Sequence, residues 1–415
     1  MPGGYDPLFK SAADDGHSPI PVGTFVFSGT AVFSPVMVLK QSALAHNLAE
    51  MAAYCQMEGI QLAPHGKTTM SPELVMAQID AGAWGVSAAV VSQVRAFWEF
   101  GAHNVVLANE LVDPAGIRWI AQHLQAHPDH RFLCWVDSLR GVEVLNRTLH
   151  ELHLSVTVSV LVEISAPGGR TGCRTTQEAL AVAQAVDRAA WLTLRGVAGY
   201  EGALVADRSV ESTERVAAYC RHVVHVAQEI DRRELFDGDA DVILSVGGGA
   251  FFDIVVDVLR QADLPRSRTT ILIRAGSYIS HDNGLYERIA AFAQPTSSRS
   301  LHAALEIWGR VLSRPEPTKA FLDFGRRDVS FDQGLPVPLH VRNFEGSAPR
   351  TAAGMTITTL NDQHAYLDVD AEDPLAPGEW VGCGISHPCT AFDKWRYIPV
   401  VDADYCVVAG VTTYF

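Results

Sequence analysis

The sequence predicts an α/β architecture: a (β/α)8 barrel followed by a mostly antiparallel β domain. Three observations predict it. From about residue 40 to 280, short apolar, β-branched runs alternate with longer amphipathic stretches. The runs can be counted, and there are eight. After about residue 290 the helical periodicity fades, and strand-like alternation with turns replaces it.

The strand candidates, in order, are IQLAPHGK (60–67), WGVSAA (84–89), NVVLAN (104–109), RFLCWVD (131–137), VTVSVLVEIS (156–165), LTLRGVAGYEG (192–202), DVILSVGGG (241–249) and TTILIRAGSY (269–278). Stretches with helical periodicity follow nearly all of them: SPELVMAQIDAG, VSQVRAFWEFG, DPAGIRWIAQHL, SLRGVEVLNRTL, TTQEALAVAQAVDRA, SVESTERVAAYCRHVVHVAQEI and FFDIVVDVLRQA. An open doubly wound sheet has the same alternation, because strand order is not written in one sequence. The later segments HAALEIWGRVLSRPEP, KAFLDFG, MTITTLNDQHAYLDV, GEWVGCGI and YIPVVDADYCVVAG read as the antiparallel domain. PIPVGTFVF (19–27) reads as a strand able to join it. The expected division is a leader with that strand at 1–35, a barrel at 36–285 and a β domain at 286–415.

With 415 residues, 48% hydrophobic and 19% charged, the chain can bury two cores. No apolar run approaches the roughly 18 residues of a membrane helix, and the first residues lack a basic stretch followed by an apolar one. A net charge of −15 makes nucleic acid a poor partner. The seven cysteines are scattered and odd in number, which suits reduced thiols and a cytoplasmic protein.

Barrel chemistry sits at the C-terminal ends of the strands. There the first strand ends in His65, Gly66, Lys67 and Thr68, and the fifth ends near Glu163 with Arg170 beyond it. The sixth carries Tyr200, the seventh Ser245, Gly247, Gly248 and Gly249, and the eighth runs into Arg274 and Tyr278. A lysine that closes an apolar strand is most often reaching for water. In a barrel mouth, desolvation instead makes the amine a usable nucleophile. A glycine triplet is usually only a turn. After strand seven, ahead of a helix, its N–H groups suit a phosphate. A lysine facing a phosphate cradle describes a pyridoxal 5'-phosphate (PLP) site.

APHGKTTMSPEL, VEISAPGGRTG, SVGGGAFFD and IRAGSYISHDNG, with FLDFGRRDVS, NDQHAYLDVD and the terminal HPC, resemble the D-threonine aldolase/D-serine dehydratase family. That resemblance implies an alanine-racemase-like fold (PLP fold type III), with Lys67 carrying PLP covalently. It implies that Arg170, Tyr200 and Tyr278 contact the cofactor and that His65 stacks on its ring or orients Lys67. It implies that His387 and Cys389 bind a divalent metal, for which a thiolate and an imidazole suit Zn²⁺. Read as a strand, HPC puts both side chains on one face. The chain departs from the family pattern at Thr69 and Met70, after the lysine, and in the stretch from Asn361 to His364. Asp323 and His364 read as structural.

The activity implied is a PLP- and zinc-dependent dehydratase acting on D-serine or another D-3-hydroxy amino acid, releasing a 2-oxo acid and ammonia from a homodimer. A metal-dependent D-threonine aldolase is the alternative, with a non-catalytic PLP-homeostasis protein as a third reading. Aldolases of this type tend to carry Asp at the second ligand position, and Cys389 therefore favours the dehydratase.

Overall fold

The structure is a computed structural model describing residues 8–13, 16–238, 241–265, 268–294, 297–347 and 349–415. Two compact units account for them. One comprises Met51–Lys67 and Val75–Gly276; the other comprises the described residues up to Glu50, with Thr68–Leu74 and Ser277–Phe415.

A first strand, β1 (Val36–Lys40), precedes the barrel strands in the chain. The barrel unit holds β2 (Gln61–Leu62), β3 (Val86–Ala88), β4 (Asn104–Glu110), β5 (Arg131–Val136), β6 (Val158–Ile164), β7 (Leu192–Gly199), β8 (Val242–Ser245) and β9 (Thr269–Ile273). Every pairing is parallel, and the order is β2-β9-β8-β7-β6-β5-β4-β3. A parallel bridge between His65 and Ser87 brings the two ends of that order together. Sequential order with the first strand beside the last is barrel topology, not a doubly wound sheet with a switch point. Ala63, Val106, Leu133, Trp135, Leu161, Ala198, Ile243 and Leu272 pack as its interior.

Seven of the eight predicted strands contain the observed one and overrun it at the C-terminal end, whereas β4 runs one residue past its predicted end, to Glu110. The overrun residues fall in loops and short 3-10 turns such as Gly66–Thr68, where backbone pairing continues only as isolated hydrogen bonds such as Ala63 N–H to the Ile273 carbonyl. Several helices start at side-chain caps. Asp113 accepts from the Gly116 N–H ahead of Pro114–Ala126, and Thr175 forms a capping box with Glu178 ahead of Thr176–Asp187.

The second unit holds β1 together with β10 (Leu305–Glu316), β11 (Lys319–Leu322), β12 (Val337–Arg342), β13 (Arg350–Thr351), β14 (Thr356–Leu360), β15 (Ala365–Asp368), β16 (Trp380–Gly384), β17 (Tyr397–Val401) and β18 (Val407–Thr412). Its main path is β13-β12-β16-β10-β1-β17-β18, antiparallel except for β1 with β17. Phe27 lies at its core, with ring centroids 4.7 Å from Trp308, 5.2 Å from Trp380 and 5.3 Å from Tyr405.

The division differs from the sequence reading: Thr68–Leu74 and residues 277–285, expected in the barrel, fall in the β unit. Residues 36–50 belong to the β unit, because β1 pairs with β10 from Val36–Trp308 to Leu39–Leu305. The expected strand at 19–27 reduces to one bridge, Phe25 with Cys406, flanked by the Gly23 and Val26 N–H groups donating to the Val407 and Tyr405 carbonyls. All seven cysteines are free thiols. Among the described residues no helix is long and apolar enough to cross a membrane.

Candidate active site

In the barrel unit β2 stops at Leu62, and the chain then turns into a single-turn 3-10 helix, Gly66–Thr68. Lys67 therefore leaves the strand before its own position and stands in solvent. The expectation that burial desolvates its amine is not met. A glycine is needed just before it: a Cβ on Gly66 would sit 2.4 Å from the Phe97 ring.

His65 shows what gathers here. Its imidazole is held well below its usual range, first by desolvation, then by the positive charges of Lys67, Arg274 and Arg170. It is neutral at physiological pH, and its Nδ1 is buried with no hydrogen-bond partner. Arg170 is exposed and stacks its guanidinium over the Tyr200 ring at 4.5 Å. Three cations around an imidazole whose Nδ1 lacks a partner suit a dianionic phosphate ester and an amino-acid carboxylate.

Arg274 is the buried member, 4% exposed, 4.9 Å above the Trp135 ring. It donates to Ser245 Oγ at 2.6 Å and to the Gly199 carbonyl at 2.6 Å. Ser245 is thus occupied with holding Arg274, and it donates its own proton to the Leu272 carbonyl. The glycine loop also differs from expectation. The Gly247 and Gly248 N–H groups donate to the fully buried carboxylate of Glu201, at 3.1 and 2.7 Å. Gly247 has φ +101°, which favours glycine, and a Cβ on Gly248 would lie 2.7 Å from the Tyr200 ring. Of the triplet, those two amides are engaged by a side chain that sequence reasoning missed. Its only signal was an acidic residue directly after strand-end Tyr200.

Glu110, Asp137 and Glu163 converge at the ends of three neighbouring strands, β4, β5 and β6. Glu110 Oε1 and Glu163 Oε2 are buried without a donor, so the pair fits one shared proton. Burial first, then hydrogen-bonded Glu163 and nearby Asp137, push the Glu110 carboxyl up to about 9. A native pKa above the unfolded value contributes stability that is fully present below the ordinary carboxylate range. That contribution is lost as pH rises toward the native value. Glu110→Gln stays neutral throughout. The variant should melt above the wild type at about pH 8.5, with the advantage shrinking toward about pH 4. Melting temperatures across that range check it; a pH-independent difference would contradict the shared proton.

In the β unit, HPC is not a strand: Pro388–Thr390 is a 3-10 turn entered from extended His387. The turn nevertheless brings the His387 ring and the Cys389 sulfur into hydrogen-bonding contact. His387 Nδ1 lies 2.8 Å from Asp332 Oδ2, and Thr390 donates to Asp332 Oδ1 at 2.6 Å. Burial opposes charge on His387, but Cys389 and Asp332 outweigh it and push the imidazole up to about 9. The same negative surroundings attract a cation. Asp332 on Nδ1 leaves Nε2 and the thiolate as donors of the kind zinc takes, so these residues fit a divalent metal. Thr68, next in sequence to Lys67, places Oγ1 3.3 Å from Cys389 Sγ. Tyr278, 3% exposed, lies in the 3-10 turn Ser277–Ile279 of this unit. Asp323 Oδ1 accepts from the Arg310 N–H at 2.9 Å.

Comparison with known proteins adds to this geometry. Residues 39–238 match the family described as "Alanine racemase, N-terminal domain", and residues 304–401 match "Putative serine dehydratase domain". A D-threonine aldolase of Arthrobacter sp. is 25% identical over 343 residues, covering 82% of this chain and 81% of its own. A 3-hydroxy-D-aspartate aldolase of Paracoccus denitrificans (strain Pd 1222) is 28% identical over 307 residues, 73% of this chain and 74% of its own. The structure of D-threo-3-hydroxyaspartate dehydratase from Delftia sp. HT23 superposes with TM-score 0.73 at 19% identity, covering 94% of this chain and 99% of that one. At that identity the last likeness is one of fold.

Proposed function

From the premise that this chain belongs to the D-threonine aldolase/D-serine dehydratase family, we infer a PLP-dependent D-amino-acid lyase, and specifically a metal-dependent dehydratase. The substrate class is a D-3-hydroxy amino acid such as D-serine, converted to a 2-oxo acid and ammonia. The observation that carries the dehydratase reading is the donor set of His387 and Cys389 with Asp332 behind the imidazole.

Bound PLP supplies an electron sink for charge left at Cα, and a bound divalent cation supplies a Lewis acid for the β-hydroxyl. Lys67 would carry the cofactor and, once displaced by the substrate amine, take the Cα proton on its Nζ. Its solvent exposure suits a side chain that both cofactor and substrate must reach. Arg274, locked by Ser245 and Gly199, and Arg170, laid on Tyr200, would hold anionic groups. His65, kept neutral by its cationic neighbours, would pack against the cofactor without adding charge. Glu201 would keep the glycine loop in one shape by occupying two of its amides. His387 and Cys389 would hold the metal, with Asp332 fixing the imidazole tautomer.

Asp332→Asn tests that last role. Loss of the carboxylate behind a metal-binding histidine should weaken metal affinity about 10–100-fold, measured by competition with a chromophoric chelator. Unchanged affinity would remove Asp332 from the account.

The aldolase is the second reading, favoured by the relatives, two of which are aldolases by name. Product analysis decides. D-serine, D-threonine and D-3-hydroxyaspartate should give 2-oxo acid and ammonia, with loss on chelation and recovery on zinc addition. Glycine as the product would establish the aldolase.

A further inference from the structure

Away from the barrel mouth, four of the sixteen histidines meet at one place in the barrel unit. His103 precedes β4, and His123 lies in the last turn of Pro114–Ala126. His127 caps that helix, and Asp129 and His130 lead into β5. These positions are at the N-terminal ends of the strands, whereas Glu110 and Asp137 mark the opposite ends. A seven-residue strand separates the two by roughly 20 Å.

The side chains converge closely. His103 Nδ1 is 3.3 Å from Asp129 Oδ2. One ligand atom each from His103, Asp129 and His130 lie within 4.8 Å of one another. His123 Nε2 is 3.0 Å from His130 Nδ1. The His127 ring centroid is 4.4 Å from that of His123 and 5.0 Å from that of His130. His123 is clamped flat on Trp98, with centroids 3.9 Å apart and planes 3° apart, so one side of the cluster is rigid. Burial first, then the neighbouring imidazoles, push His123 down to about 4, and His130 is lowered too. One ring nitrogen each of His103 and His130 and a carboxylate oxygen of Asp129 face one volume. His123 and His127 are also four apart, the spacing that puts two imidazoles on one helix face.

We propose that His103, Asp129 and His130, with His127 and His123 beside them, form a second divalent-cation site. Imidazole nitrogens with one carboxylate oxygen select a first-row ion such as Zn²⁺ or Ni²⁺ over Mg²⁺ or Ca²⁺. The ion would tie the segment before β4 to the segment before β5, both at the N-terminal end of the barrel strands. Its role is therefore structural, and it does not depend on the reaction proposed above.

The test uses tag-free, full-length protein stripped with chelator and titrated with Zn²⁺ alone, bound metal being measured after desalting. It is run in Cys389→Ala, which removes the other candidate site from the count. That variant should still bind one equivalent and melt higher with zinc than without. Adding His103→Ala and His130→Ala should abolish both the equivalent and the shift, while leaving the metal-free melting temperature within a degree or two, since His103 is exposed. Magnesium should produce no shift. Cys389→Ala without bound zinc would overturn the proposal, as would a histidine variant that keeps it.

Discussion

Lys67→Ala should abolish turnover while leaving the fold intact. Lysine nucleophilicity and proton transfer both reside in one Nζ, and general acid–base action alone accounts for about 10²–10⁴-fold. The loss should therefore reach the detection limit of a 2-oxo acid assay. Because Lys67 is exposed, its truncation removes little packing, and the melting temperature of the apo chain should stay close to wild type. The visible absorption of PLP joined to protein should vanish with the amine. Retained absorption after denaturation would mean that another lysine carries the cofactor. The chain would then have lost its catalytic centre from the place this reading assigns it.

Cys389→Ala should separate cofactor from metal. The thiol hydrogen-bonds His387 and lies 3.3 Å from Thr68 Oγ1, so its loss strips one of two proposed donors. Activity should drop about 10²-fold or more, the scale of losing a group that stabilises a leaving oxyanion. PLP absorption should persist, since the amine at Lys67 is untouched. Cys389→Asp should recover metal binding with harder ions such as Mn²⁺ preferred over Zn²⁺. Full activity of Cys389→Ala in chelator would show that the reaction needs no metal there.

Much of the chemistry was legible because it is local. Lys67, the glycine loop and HPC sit within a few residues of a recognisable strand or turn, and residue type alone announces what they can do. Arg170 and Tyr200 were legible as strand-end residues, but their stacking at 4.5 Å was not. Three partners escaped. Glu201 reaches the glycine loop across 46 residues, Arg274 reaches Gly199 across 75, and Asp332 reaches His387 across 55. No periodicity reports a hydrogen bond over such separations, because it depends on which strands become neighbours. The histidine cluster before β4 and β5 escaped for the same reason. His103 and His130 are strangers in sequence and adjacent only once β4 pairs with β5 from Asn104–Arg131 onward.

By itself, the sequence determined the alternation of eight buried strands with amphipathic helices, the switch to antiparallel strands, and the residue types at the strand ends. Burial periodicity and cap chemistry act within one element, and one element's residues are contiguous. The tertiary structure decided the rest. It closed the barrel at His65 and Ser87, gave β1 to the other sheet, and exposed Lys67. It also put Glu201 on amides that the glycine triplet alone had offered to a phosphate. Each of these is a choice among distant partners, made by the packing of the whole unit and not by any stretch of chain within it.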